Sequence, residues 1–221
     1  MNQFVISKFR LDQSTRRVGA TVLVFPLLWL LSLSPALAHH PTGGEIPDSF
    51  VTGLLSGLGH PVIGLDHLAF VIAAGLLAAA LGQGLSIPIV FVVASLGGTG
   101  LHLLAVNLPV PESVIAASVL VFGSLLAMQY QPKLLIILAL AAIAGLFHGY
   151  AYGEAIIGAE MTATVAYLIG FATIQMAIAA AAYAIARRFS PTDETEPLPL
   201  RFAGFTLAGI GGAFLSGTWL G

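Results

Sequence analysis

Few residues of this chain can do chemistry, and the densest group of them is His60 to His67, reading HPVIGLDH. Two imidazoles and the Asp66 carboxylate stand at the head of an apolar segment, His67 to Leu81, that otherwise has the composition of a membrane helix. An ionisable side chain at mid-bilayer costs about 2.5–3.5 kcal/mol on insertion scales, so it is kept where it has a partner. Pro61 suits the first position of a helix, where its missing N–H would be unpaired anyway. A helix starting after Gly59-His60 would carry Asp66 about a turn and a half inside. At about 100° per residue, one helix running through both histidines would set them about 20° apart, on a shared face. Imidazole and carboxylate together suit a divalent transition metal such as nickel, cobalt, copper or zinc. Asp66 has a second use, orienting a ligating histidine instead of binding. The chemically silent alternative is a buried polar cluster that fixes helix packing.

Further candidates lie along the chain. Ser95, Thr99 and His102 fall at i, i+4 and i+7, one polar stripe of a helix. The two hydroxyls could equally bond the backbone of their own helix. Gly97, Gly98 and Gly100 would let another helix approach there. The segment FHGYAYGEAIIGAE sets His148 and Tyr152 at i, i+4, bordering a small-residue ridge of Ala141, Gly145, Gly149 and Gly153 that suits close helix packing. His148 is therefore expected to face protein and to be a candidate ligand. Glu154 is a candidate beside it, with a solvated interfacial side chain as the alternative. Gln175 reads as a contact between helices more than as a substrate path. Met128, Met161 and Met176 read as packing.

The elements that must position these groups are membrane helices. The chain has 221 residues, 57% hydrophobic and 8% charged, where soluble domains run near 25% charged. It has no cysteine, so disulfides and thiolate metal sites are excluded. Lys8, Arg10, Arg16 and Arg17, then the apolar run Val18 to Leu33, then Ala36-Leu37-Ala38, have the form of a cleavable signal peptide over 1–38. An uncleaved anchor helix is the alternative. Cleavage would leave His39-His40 at the mature amino end, beside a free amine, a plausible capture point for metal. Residues 39–59 form an outer segment, with a short half-helix over Phe50–Leu58 capped by Asp48 or Ser49 and breaking at Gly59-His60. Residues 60–221 form an all-α, polytopic bundle of six transmembrane helices, at about Pro61–Leu81, Leu85–Val106, Pro111–Met128, Pro132–Ala151, Met161–Ala186 and Arg201–Leu220. The last of these carries a second ridge, Gly204, Ala208, Gly212 and Ser216, and serves as scaffold. The four basic residues after the signal, Lys133, Arg187, Arg188 and Arg201, all fall in loops that six alternating spans place in the cytoplasm. The mature amino and carboxyl ends are then both outside, in a multi-pass protein of the inner (plasma) membrane. All six histidines fall outside or in the outer half of the bundle.

HPVIGLDH, followed by LAFVIAAGLLAA, resembles the HPxxGxDH signature of the HupE/UreJ family of nickel/cobalt permeases. The fourth span is similar to a second family segment, HGxAHGxE, with Tyr152 where that pattern has a histidine. The resemblance implies uptake of Ni²⁺ or Co²⁺ for metalloenzyme maturation, as in hydrogenase accessory proteins, the ion being substrate and not a resident cofactor. His39 and His40 would attract the cation, and His60, Asp66, His67, His102 and His148 would replace part of its water shell. Neutral imidazole is required, so uptake is expected to fall as pH drops through the histidine range. Partners would be the metal ion and the bilayer, with a second copy or a metallochaperone as further candidates and no nucleic acid. Two other functions stay open: a non-transporting accessory of a metalloenzyme assembly, and an intramembrane metal hydrolase. The hydrolase lacks an HExxH pairing of base and ligands, and a non-enzymatic role is expected.

Overall fold

The computed structural model describes residues 45–189 and 198–220. The chain separates into two units, 1–38 and 39–221, and every described residue belongs to the second. The segment 1–38 expected to be a signal peptide, and His39-His40, lie outside the described residues. Among the described residues each regular element is a helix: α1 Phe50–Ile63, α2 Leu65–Ala80, α3 Ser86–Leu103, α4 Pro111–Ala127, α5 Leu134–Gly153, a 3-10 turn Glu154–Ile156, α6 Met161–Phe189 and α7 Leu198–Leu220.

Helix α1 starts at a capping box. Ser49 Oγ accepts from the Thr52 N–H at 3.2 Å, and Thr52 Oγ1 accepts from the Ser49 N–H at 3.0 Å. Such a cap stabilises a helix by about 1 kcal/mol. The expected break at Gly59-His60 is not there. The helix runs through Gly59, His60 and Pro61 and ends at Ile63, so Pro61 is an interior residue and not a first-turn one. Proline removes one backbone hydrogen bond and crowds the preceding turn, which a helix absorbs best near its end. The chain then turns extended at Gly64, with φ −72° and ψ 102°. A side chain at Gly64 would press on the His67 ring. Helix α2 restarts with Asp66 in its first turn, and the Asp66 carboxylate accepts the His67 N–H at 2.9 Å. A carboxylate there is favoured by the helix dipole. The two helices meet at 79°. His60 and His67 therefore do not share a face of one continuous helix; they flank the break.

Helix α2 is the hub. From His67 to Ala79 it is buried except at Leu68 and Ile72, and it packs on α3, α4, α6 and α7. The other elements join mainly as pairs, α3 with α5, α4 with α7 and α1 with α6. Each seam is built from small residues that bring backbones together. On α3–α5, Gly149 lies on the Ser95 backbone, Gly98 on Leu146 and Gly145 on Phe91. On α4–α7, Gly123 lies on Ala208, Gly204 on Ala127 and Gly211 on Leu120. On α6, Ala163 meets Gly53, Tyr167 meets Gly57, and further down Ala179 meets Gly75 of α2. The order along α6 never reverses, so the bent α1–α2 pair advances beside it in one direction.

Helices α3, α5 with its 3-10 turn, α6 and α7 are each long and apolar enough to cross a membrane. Helices α1 and α2 meet that criterion only together, and α4 is apolar with 17 residues. The described residues are all-helical in their regular structure, and the chain is a multi-pass membrane protein.

Candidate functional site

The break at Gly64 sets two histidines against each other. His60 lies in the last turn of α1, His67 in the first turn of α2, and both are buried. Their ring centroids are 6.0 Å apart with planes at 69°. His148, fully buried near the end of α5, stands behind His67 with its ring centroid 4.9 Å away. Phe70 and Phe91 pack on His148.

One assignment of protons satisfies the contacts of the three imidazoles. The Tyr167 hydroxyl contacts the Tyr152 carbonyl at 2.9 Å and His60 Nδ1 at 2.8 Å. A carbonyl only accepts, so the single phenolic hydrogen goes to it, and His60 Nδ1 donates to the Tyr167 oxygen. A second chain starts at Ser118 on α4. Its hydroxyl donates to the Ile115 carbonyl at 2.6 Å, so His148 Nε2 donates to Ser118 Oγ at 3.0 Å. His148 Nδ1 is then the acceptor, and His67 Nδ1 donates to it at 2.8 Å. With these proton positions Nε2 is the acceptor nitrogen of His60 and of His67. Both nitrogens of His148 are engaged with protein.

Tyr152 completes the wall. Its ring lies 4.5 Å from His67 and 5.0 Å from His60, and it is fully buried. Its hydroxyl has no hydrogen-bond partner among the described residues. Asp66, half-buried in the first turn of α2, accepts the His67 N–H.

The remaining candidates do not converge here. His102 is half-buried one turn further along the α3–α5 seam, its ring on Tyr150 at 4.3 Å. Its Nδ1 is buried without a partner among the described residues. Glu154 begins the 3-10 turn and is exposed. Ser95 bonds its own helix at the Phe91 carbonyl, while Thr99 bonds both the Ser95 carbonyl and, across the seam, that of Gly149 at 2.7 Å. Among the described residues, no three His, Asp or Glu side chains stand close enough to hold a metal by themselves. Sequence reasoning missed Ser118 and Tyr167 and treated Tyr152 only as spacing. The available signal was weak: each is a hydroxyl within an apolar helix.

Chemically, the arrangement is a pair of oriented imidazoles with a phenol at their side, inside a membrane bundle. It can take a soft-to-borderline cation and leave part of that ion's coordination to water. A family model described as HupE / UreJ protein matches residues 27–214 of the chain. Protein HupE of Rhizobium leguminosarum bv. viciae is 30% identical over 186 residues, covering 83% of this chain and 92% of that protein. No solved structure matches the chain.

Proposed function

The chain belongs to the HupE/UreJ family, and from that premise we propose that it is a secondary permease for Ni²⁺ or Co²⁺, taking the ion up through the His60–His67 pair. The observation that carries this reading is the pair itself, two buried imidazoles with Nε2 as acceptor nitrogen at the break of a bent span. Two imidazoles bound to one metal at about 2.0–2.1 Å hold their ring centroids no more than about 6.5 Å apart. The 6.0 Å separation lies within that reach. Broken helices at mid-membrane are where transporters place ion sites.

The ligand set is proposed as His60 and His67, with the remaining positions of the ion filled by retained water. His148 acts through His67, holding its tautomer and ring direction. Glu154, His39 and His40 serve the outer approach, and His102, on Tyr150, stands outside the ion's path. A set with few protein ligands suits transport, because a carrier site must also release its ion. It suits hydrolysis poorly, since catalytic zinc takes three protein ligands and an open position. Six crossings, counting α1–α2 as one and α4 as another, put Lys133, Arg187, Arg188 and Arg201 on the cytoplasmic side, with the carboxyl end outside. The membrane potential favours inward movement by about 2.3 kcal/mol per elementary charge per 100 mV, and about twice that for a divalent ion.

Two results are expected. Protons compete with metal for imidazole nitrogen, so uptake should fall as pH drops through the histidine range. Initial uptake rates across that range check it, and a flat profile counts against histidine ligands. Tyr167→Phe removes the oxygen that accepts from His60 and should weaken metal affinity about 10–100-fold, the usual effect of losing a ligand's orienting partner. Calorimetry of Ni²⁺ binding to the purified protein measures it. The reading as a whole is tested by radiolabelled Ni²⁺ and Co²⁺ uptake into cells producing the chain. Metal accumulation above that of cells lacking it is the expected result, and equal accumulation removes the permease.

A further inference from the structure

Helix α6 carries one more chemically able group. Gln175 is fully buried on the helix face that presents Tyr167, Phe171 and Ala179 to the interior. Its Nε2 donates to the Phe171 carbonyl at 3.1 Å, one turn back. That bond pins the amide and identifies Oε1, which has no hydrogen-bond partner among the described residues. A buried acceptor without a partner is destabilising, and an apolar residue of similar size would avoid the loss. Gln175 is two turns further along the helix than Tyr167, the residue that holds His60, which amounts to about 12 Å of rise. Phe171 lies between the two levels, its ring 5.3 Å from Tyr152 and 5.7 Å from Tyr167. One turn beyond Gln175, Ala179 meets the backbone of Gly75 on α2. Past that point the buried face of α6 offers only Ala182 and Ala186.

We propose that Gln175 Oε1 is a second, inner stop for the transported cation, received from the histidine pair past Phe171 with part of its water shell. The inference rests on the permease reading above and adds the step that reading leaves without a residue. An amide oxygen is neutral, does not titrate in this range and binds a divalent ion less firmly than imidazole. It therefore accepts the ion from the outer pair and lets it go inward. Gln175 touches the ion in passage and holds none of the outer site together.

Gln175→Met and Gln175→Leu keep the buried volume and remove the acceptor. Radiolabelled Ni²⁺ uptake per molecule and calorimetric Ni²⁺ affinity of the purified protein are measured for both against wild type. The expected result is an affinity within about twofold of wild type with maximal uptake at least tenfold lower. Either variant transporting at the wild-type rate overturns the proposal. Parallel loss of affinity and uptake in both assigns Gln175 to packing and overturns it as well. Absence of metal-dependent uptake by the wild type sinks the permease reading itself, a result distinct from failure of the inner stop.

Discussion

His67→Ala is expected to reduce metal uptake about 100-fold or more while leaving the protein in the membrane. The residue is 2% exposed and sits in the first turn of the most enclosed helix of the bundle. Its loss removes one of the two proposed ligand nitrogens. It also leaves His148 Nδ1 without the hydrogen it accepts, which costs about 1–3 kcal/mol in a buried setting. A melting temperature a few degrees lower is therefore expected beside the lost transport. The same geometry ranks the other histidines. His148→Ala should weaken affinity by about 10–100-fold, since it removes an orienting partner and not a ligand. His102→Ala, on Tyr150 and away from the pair, should change uptake little. Uptake and thermal melting of the three variants side by side check the order. A large His102 effect with a small His67 effect contradicts it.

Gly149→Leu is the substitution expected to damage the fold most. Even a Cβ at this position overlaps the Ser95 backbone, and that backbone cannot yield as a flexible side chain would. Overpacking a tight contact costs about 1–3 kcal/mol for small additions and more when two helices must separate. The seam also carries the Thr99 hydroxyl bond to the Gly149 carbonyl, and His148 is the adjacent residue. Loss of folded protein in detergent, read by melting and size-exclusion profile, is expected. Gly97→Leu is the control: a Cβ there meets nothing within 4 Å, so the helix should tolerate it. Equal behaviour of the two would remove the seam from the account.

The contrast between Gly97 and Gly149 shows what could be read from the chain alone. The ridge Ala141, Gly145, Gly149 and Gly153 was legible because four-residue spacing survives any choice of neighbour, and its last three members each lie on α3. On the facing helix three glycines looked alike, but only Gly98 meets a backbone. Helix limits were largely legible from apolar runs bounded by Pro and Gly, as with α4 starting at Pro111 and α6 at Met161. The break was misplaced because proline reads as a helix start yet is also borne near a helix end. That error moved His60 onto the wrong helix, although the bend still brings its ring to His67. The apolar runs put His102 and His148 near the ends of their helices but do not give their direction around the helix axis, and the two rings meet different neighbours, Tyr150 and His67. Ser118 and Tyr167 stayed hidden because a hydroxyl in an apolar helix usually bonds its own backbone, as Ser95 does here.

The central claim is that His60 and His67 bind one ion together across the Gly64 break. X-ray absorption at the nickel edge, on the purified chain loaded with Ni²⁺, tests it most directly. The account predicts a shell containing two imidazole nitrogens, reduced to one in His60→Ala or His67→Ala and unchanged in His102→Ala. A wild-type shell of oxygen alone, or an imidazole signal that survives loss of both His60 and His67, would contradict it.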